Sequence, residues 1–204
     1  MKDLENLHYL LGIEVVRSSS GLFLLQKKYV HHIFHKFHLR YLKLVSTPSV
    51  VQTTLSVCDG ELLVDPSEYC SMIGALHHLT ITRSNIAYAV HVVSNLLHAL
   101  CTTHFHAVTH IFRYLEGNED HSLFICSSVS SSIIIAYFGA ELASYKDSCL
   151  TTTDYAMYFD PNPIVWHSKK QLVASKSTTH LVTLLLRQSR FTNYYLTWGS
   201  LSLP

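Results

Sequence analysis

Phosphoryl transfer on nucleic acid runs on carboxylates that converge on two divalent cations, and the acids of this sequence are poorly placed for that chemistry. Its 204 residues include 14 Asp and Glu. There is no Asp-Asp pair, the only adjacent acids are Glu119-Asp120, and no Asp or Glu follows Asp160. Glu119-Asp120 comes just after Gly117 and reads as solvated loop charge. The 15 histidines invite a metal reading. His31, His35 and His38 share one face of an expected helix, and His106 and His110 are four apart, a spacing that can gather imidazoles at zinc. Neither group brings a suitably spaced Cys or Glu and there is no H-E-x-x-H, so surface or half-buried histidines are the favoured reading and a zinc-binding His-rich domain is the alternative. Ser168, Ser175 and Ser177 have no His/Asp pairing that would make a nucleophile. The cations are better organised. Lys27, Lys28, Lys36, Arg40 and Lys43 crowd one amphipathic stretch and its exit, and Lys169-Lys170 sits just past a strand pattern. Both groupings suit contact with a phosphate backbone, and both also suit an ordinary solvated face.

The charge is uneven along the chain. Residues 1–50 hold seven Lys/Arg against three acids, 51–130 hold two against seven, and 131–204 hold six against four. The basic ends suit phosphate and the acidic middle does not. A 48% hydrophobic content excludes intrinsic disorder. The five cysteines (Cys58, Cys70, Cys101, Cys126, Cys149) form no C-x-x-C and point to free thiols in a reducing intracellular compartment, cytoplasm or nucleus. The first residues, MKDLENLHYL, lack the long apolar core of a secretory signal. The uncharged stretch from His121 to Ala140 is broken by serines and carries a β-branched Ile133–Ile135 run, so it reads as buried strand, and no membrane partner is expected.

Periodicity predicts the elements that carry these groups. HYLLGIEVV (8–16) and LFLL (22–25) flank RSSSG and read as a β-hairpin with Gly21 supplying permissive backbone. Tyr29, Val30, Ile33, Phe34 and Phe37 predict a helix over 27–39, and Thr47-Pro48 closes that region. After a loop over 49–66, Ser67 is a plausible N-cap for a helix to about Leu79. Ile86, Val90, Val93, Leu97 and Leu100 predict a second helix, and His104–Leu115 a third, stopped by Gly117. These should pack as a small bundle. Leu123–Ile125, Ile133–Phe138, Tyr155–Phe159 and Ile164–Trp166 read as strands, with Asp160-Pro161-Asn162-Pro163 as a turn and a final helix near Ser177. Trp166, in an alternating strand, reads as core rather than as a base-stacking platform.

Several phrases, in order, resemble the pol polyprotein of copia-type LTR retrotransposons. They are Met1–Val15 (MKDLENLHYLLGIEV), Gln26-Lys27-Lys28-Tyr29, Thr47-Pro48, Tyr69–Leu76 with Thr82–Val90, His104 through Arg113-Tyr114-Leu115-Glu116-Gly117, and Ile164–Gln171 (IVWHSKKQ). The resemblance covers roughly residues 1–180. It implies an α+β chain in which a β-hairpin and a thumb-like helical bundle precede an incomplete RNase H-like β-β-β-α unit. Residues 1–25 would end the reverse-transcriptase palm, 26–120 would be thumb and connection, and 121–204 would begin the RNase H-like domain. Leu11-Gly12-Ile13-Glu14 resembles the primer-grip hairpin.

The same resemblance implies which chemistry is lost. The polymerase aspartates would lie before Met1. In Tyr137-Phe138-Gly139-Ala140-Glu141, Gly139 stands where the first RNase H aspartate is expected and Glu141 where a second acid follows. A gapless match from Ser177 puts Val182 at the helix glutamate. Glycine and valine cannot hold Mg²⁺, the ion this family uses, so no catalytic residue and no cofactor are expected. The reading is a degenerate pol remnant, inactive alone. Its nucleic-acid contacts would be Leu11, Gly12, Ile13, Lys27, Lys28, Lys36, Arg40, Lys169 and Lys170, its partners a weakly held template–primer or hybrid and, within a longer polyprotein, other pol segments. A retained nucleic-acid-binding or protein-interaction module is the alternative.

Overall fold

The computed structural model describes residues 8–39, 42–49, 55, 60–63, 65–97, 100–128, 133–141 and 152–170. The N-terminal strands are β1 (Tyr9–Leu10), β2 (Ile13–Ser18) and β3 (Gly21–Leu25). Four helices follow: α1 (Lys27–Lys36), α2 (Ser67–Leu79), α3 (Ala87–Ser94, entered through a 3-10 turn at Ser84–Ile86) and α4 (Thr102–Glu116). Strands β4 (Ser122–Cys126), β5 (Ile134–Glu141), β6 (Thr152–Phe159) and β7 (Asn162–Lys170) complete the described order.

The single hairpin expected over 8–25 is a three-stranded meander. Leu10 pairs with Ile13, and the intervening Leu11 and Gly12 both have positive φ, 48° and 81°. That is the backbone a two-residue hairpin turn requires, because it matches the right-handed twist of the flanking strands. The second turn is Ser19-Ser20, and Gly21 after it has the permissive backbone expected of it, φ 157°, with a second reason to be glycine. A Cβ on Gly21 would lie 2.1 Å from the Ile125 carbonyl oxygen. Glycine is needed there because β4 runs antiparallel against β3, from Gly21↔Cys126 to Leu25↔Ser122. The first sheet is therefore β1-β2-β3-β4, and β4, read as the opening of the C-terminal unit, pairs with the N-terminal strands.

The helices bury one apolar stripe each. Val30, Ile33 and Phe34 from α1 meet Tyr69, Met72, Leu76 and Leu79 from α2, Val90 and Val93 from α3, and Val108, Ile111, Phe112 and Leu115 from α4. Phe34 and Phe37 both meet the edge of Phe112, with centroids 5.8 and 6.0 Å away. Tyr69 threads its hydroxyl through this core to donate to the Val93 carbonyl at 2.9 Å. Burial raises the Tyr69 pKa and keeps the hydroxyl a donor.

Helix ends depart from expectation for local reasons. Helix α1 stops at Lys36 because His38 adopts a left-handed conformation, φ 53°, while Leu39 N–H bonds Phe34 O and His38 N–H bonds His35 O. This is a Schellman ending. At α2, Asp65 rather than Ser67 supplies the cap, its Oδ1 accepting the Ser67 N–H at 2.9 Å. Helix α3 ends at Ser94, short of Leu97 and Leu100: Ser94 Oγ donates to Val90 O, Asn95 Nδ2 shares His91 O with its own backbone N–H, and Leu96 N–H bonds Val93 O three residues back, a tightened turn in place of a further helical one. Gly117 follows α4 with an ordinary φ of −75°, so it is not a left-handed stop. Asn118 turns the chain instead, donating Nδ2 to Tyr114 O.

The second sheet is β5-β6-β7, antiparallel, with a bulge at Met157/Tyr158. Polar contacts tie β7 to the rest. Asn162, at the expected turn, exchanges two bonds with the Cys126 backbone, Trp166 Nε1 donates to Thr80 O, and Lys170 N–H donates to His91 Nε2. Trp166 is half-buried and anchored, not a free platform. The helix expected from Ser177 lies outside the described residues.

Candidate nucleic-acid interface

The β1–β2 turn and the start of α1 form one surface. Gly12 sits over a ring pair made by Tyr29 of α1 and His78 of α2, whose centroids are 4.5 Å apart. Gln26, fully buried between β3 and α1, fixes this junction. Its Nε2 meets His78 Nδ1 at 3.0 Å and its Oε1 accepts from Thr82 Oγ1 at 2.6 Å. With every partner made, this network specifies one arrangement of hairpin and helices. Glu14 of β2 then caps α1, accepting the Lys28 N–H at 3.0 Å and pairing with Lys28 Nζ at 3.0 Å. The backbone bond, chiefly, holds the Glu14 carboxyl below its usual range, as a carboxylate at a helix N-terminus should be held.

Leu11 projects from the turn with 77% of its surface exposed, and Tyr9 and Leu10 are exposed beside it. Lys28 Nζ lies 5.6 Å from the Tyr9 ring centroid. Ile13, first residue of β2, is half-buried. The turn residues Leu11, Gly12 and Ile13 and the helix residues Lys27 and Lys28 are thus brought together. Lys36 is exposed at the other end of α1, hydrogen-bonded to Ser71 Oγ and placed over the Phe37 ring. Lys43 is exposed in the following loop, and Arg40 lies outside the described residues. On β7, Lys169 is exposed and Lys170 is half-buried against α3.

Glu119-Asp120 is not simply solvated: Asp120 pairs with Lys27 at 2.6 Å and Glu119 with His31 at 3.4 Å. Sequence reasoning also missed Arg83, which is 1% exposed and donates to the Asn118 and Glu119 carbonyl oxygens, although Thr82-Arg83 lay within a recognised phrase. A single arginine carries no hydropathy signal for such burial.

The proposed remnant of the RNase H site sits on the second sheet. Gly139 lies opposite Asp154 of β6, and a Cβ there would be 4.0 Å from the Asp154 Cβ. Glu141 ends β5, its backbone opposite Thr152, and Val182 lies outside the described residues. The histidine groups are dispersed among other duties. His38 is the α1 cap, His104 closes the α4 N-terminus through Cys101 N–H, and His110 Nε2 meets Thr47 O at 3.0 Å. Among the described residues no three His, Cys, Asp or Glu converge on one point, and no helix is long and apolar enough to cross a membrane.

Comparison with known proteins places this chain among retrovirus-related Pol polyproteins. It is 37% identical over 179 residues to the Pol polyprotein from transposon RE1 of Arabidopsis thaliana, covering 88% of this chain and 12% of that one. It is 35% identical over 190 residues to the Pol polyprotein from transposon TNT 1-94 of Nicotiana tabacum, covering 88% of this chain and 14% of the relative. An uncharacterized mitochondrial protein of Arabidopsis thaliana is 34% identical over 202 residues, which is 99% of this chain and 82% of that protein. The chain belongs to the copia-type retrotransposon pol family. It spans only a small part of the long Pol relatives, 12% of the first of them. No family model and no solved structure matches it.

Proposed function

We propose that these residues are a pol-derived, thumb-and-primer-grip-like module that contacts nucleic-acid backbones without sequence preference and carries out no chemistry alone. One observation carries the reading. Leu11 holds a left-handed backbone, φ 48°, with its side chain 77% exposed, directly beside the cationic start of α1. The hairpin turn calls for that backbone, but a leucine there is strained where glycine or asparagine would not be, and its exposed apolar side chain offsets none of the strain by burial. The strain makes sense where the turn presses against a duplex end while lysines track its phosphates. Loss of catalysis is supported by Gly139, which stands where the first RNase H ligand is expected and offers no oxygen to a metal. The β5-β6-β7 order is that of the three-stranded opening expected of an RNase H-like unit, and Lys169 on its exposed side would offer a secondary phosphate contact.

Fluorescence anisotropy with a labelled template–primer duplex tests the reading. The expected result is a dissociation constant of roughly 10⁻⁴–10⁻⁶ M that is indifferent to sequence and weakens steeply with salt. In parallel, Mg²⁺ should support neither primer extension nor RNA–DNA hybrid cleavage. Absence of salt-dependent binding would remove the binding half of the proposal, and metal-dependent turnover would remove the other.

A further inference from the structure

The start of α1 presents three basic groups, and each is matched to an acid from elsewhere: Lys27 to Asp120, Lys28 to Glu14, and His31 to Glu119. Glu14 has an evident structural duty as the α1 cap. Glu119 and Asp120 have none, yet their turn is firmly held. Buried Arg83 donates Nη1 to Asn118 O and Nη2 to Glu119 O, each at 2.7 Å, and Asn118 Nδ2 donates to Tyr114 O at 2.9 Å. Taking a guanidinium out of water is costly, and solvated loop charge would need no such anchor. The outcome of the arrangement is that two carboxylates stand side by side in sequence against Lys27 and His31, which are one helical turn apart on α1. The Lys27–Asp120 hydrogen bond, chiefly, raises the lysine pKa and lowers that of the aspartate, so both stay charged near neutrality.

We propose that the 117–120 turn is an internal phosphate mimic: in the free chain Asp120 occupies the Lys27 ammonium and Glu119 stands against His31, and a nucleic-acid backbone must displace both acids. The proposal rests on the α1 contact described above and adds its regulation. Exposed ion pairs are weak and competed by other ions. The clasp therefore yields to a polyanion that replaces both acids at once, and it resists a single phosphate, which replaces one. It makes the surface selective for continuous backbones. Displacement also leaves two carboxylates that recruit counterions, so binding by the native chain releases fewer ions in total than its phosphate contacts would suggest.

The test compares the native chain, Glu119→Gln/Asp120→Asn, and a matched control, Glu61→Gln/Glu68→Gln, at two exposed acids outside the three pairs. Binding to a labelled RNA–DNA hybrid is measured by anisotropy across a salt series, with circular dichroism melts as the folding check. The clasp predicts about three- to tenfold tighter binding and a steeper salt dependence for the first variant only. The gain should vanish in a Lys27→Gln/His31→Gln background. Asp120→Asn alone, at an 84% exposed side chain where folding is not at stake, should give part of the gain. A gain equal to that of the control, or one that persists without Lys27 and His31, overturns the proposal. If the native chain binds, loses binding on Lys27→Gln/Lys28→Gln, and is indifferent to the acids, the clasp fails while the α1 contact stands. If no variant binds, both fall.

Discussion

Leu11 and Gly139 are single residues whose backbones carry opposite messages. At Leu11 a side chain is kept where glycine would be easier. Replacing it should relieve strain, so Leu11→Gly is expected to raise stability by about 1 kcal/mol in urea unfolding, while weakening binding to a template–primer end. A variant that is both less stable and unchanged in binding would mean the turn has no contact role. At Gly139 a side chain is missing where one has room, with only the Asp154 Cβ at 4.0 Å. Gly139→Asp would set two carboxylates opposite each other across β5 and β6. Such a pair should cost about 0.2–1 kcal/mol at neutral pH and recover in millimolar Mg²⁺ or in acid. Hybrid cleavage should not return, even with Val182→Glu added, because two carboxylates do not make a two-metal site. Cleavage assays on both variants check this. At this scale the sequence showed the residue types well and their partners poorly. Lys27 and Lys28 could be singled out by composition, but their pairing with Asp120 and Glu14 depends on contacts across 93 and 14 positions. Nothing local encodes these.

Elements were more legible than their ends. The three- and four-residue spacing of Val30, Ile33, Phe34 and Phe37 is a local signal, and α1 follows it. Its stop does not, because His38 takes a left-handed conformation usually left to glycine or asparagine. The link between α3 and β7 was invisible to patterning and has a pH signature. His91 Nε2 accepts from both Lys170 N–H and Asn95 Nδ2, which requires a neutral ring with its proton on Nδ1. Burial, chiefly, then the nearby His167, His77, Lys170 and Lys169, push its pKa down to about 4. Burial lowers that of His167 as well. A depressed histidine means that the unfolded chain takes up protons before the folded one does. Stability is thus full above the ordinary value of 6.5 and falls as the pH drops from there towards 4. The slope is at most ~1.4 kcal/mol per pH unit before solvent screening reduces it. His91→Gln keeps an acceptor that does not titrate. Thermal melts from pH 7 to 4.5 should show a flatter acid limb for the variant, and parallel limbs would rule out His91 as the titrating latch.

For the molecule as a whole, the distribution of buried apolar side chains decides which part holds. Among the described residues the buried apolar core runs through α1, α2, α3 and α4, and the second sheet adds only Met157 to the fully buried hydrophobics. That sheet is tied to β4 through Asn162 and to the helical layer through Trp166 and Lys170, and it leaves Tyr137 and Ile164 exposed. The order of strands and helices was readable because periodicity is local. The return of β4 to β3 was not, since strand pairing across a hundred residues leaves no mark on either strand. The energetic consequence is a gradient. Hydrogen bonds in a layer with little apolar cover open at lower free energy than those beneath a packed core. Native-state hydrogen exchange should therefore find the β5–β7 amides exchanging earlier than those of α2 and α4. Protection in β4 should follow the helical body, because its partner β3 runs directly into α1 past the buried Gln26. Asn162→Ala, which removes the two bonds to Cys126, should widen the gap by accelerating β7 and leaving α2 unchanged. Equal protection in β6, β7 and α4, unmoved by Asn162→Ala, would show that the second sheet draws on cover beyond the contacts described and that the chain unfolds as a single unit.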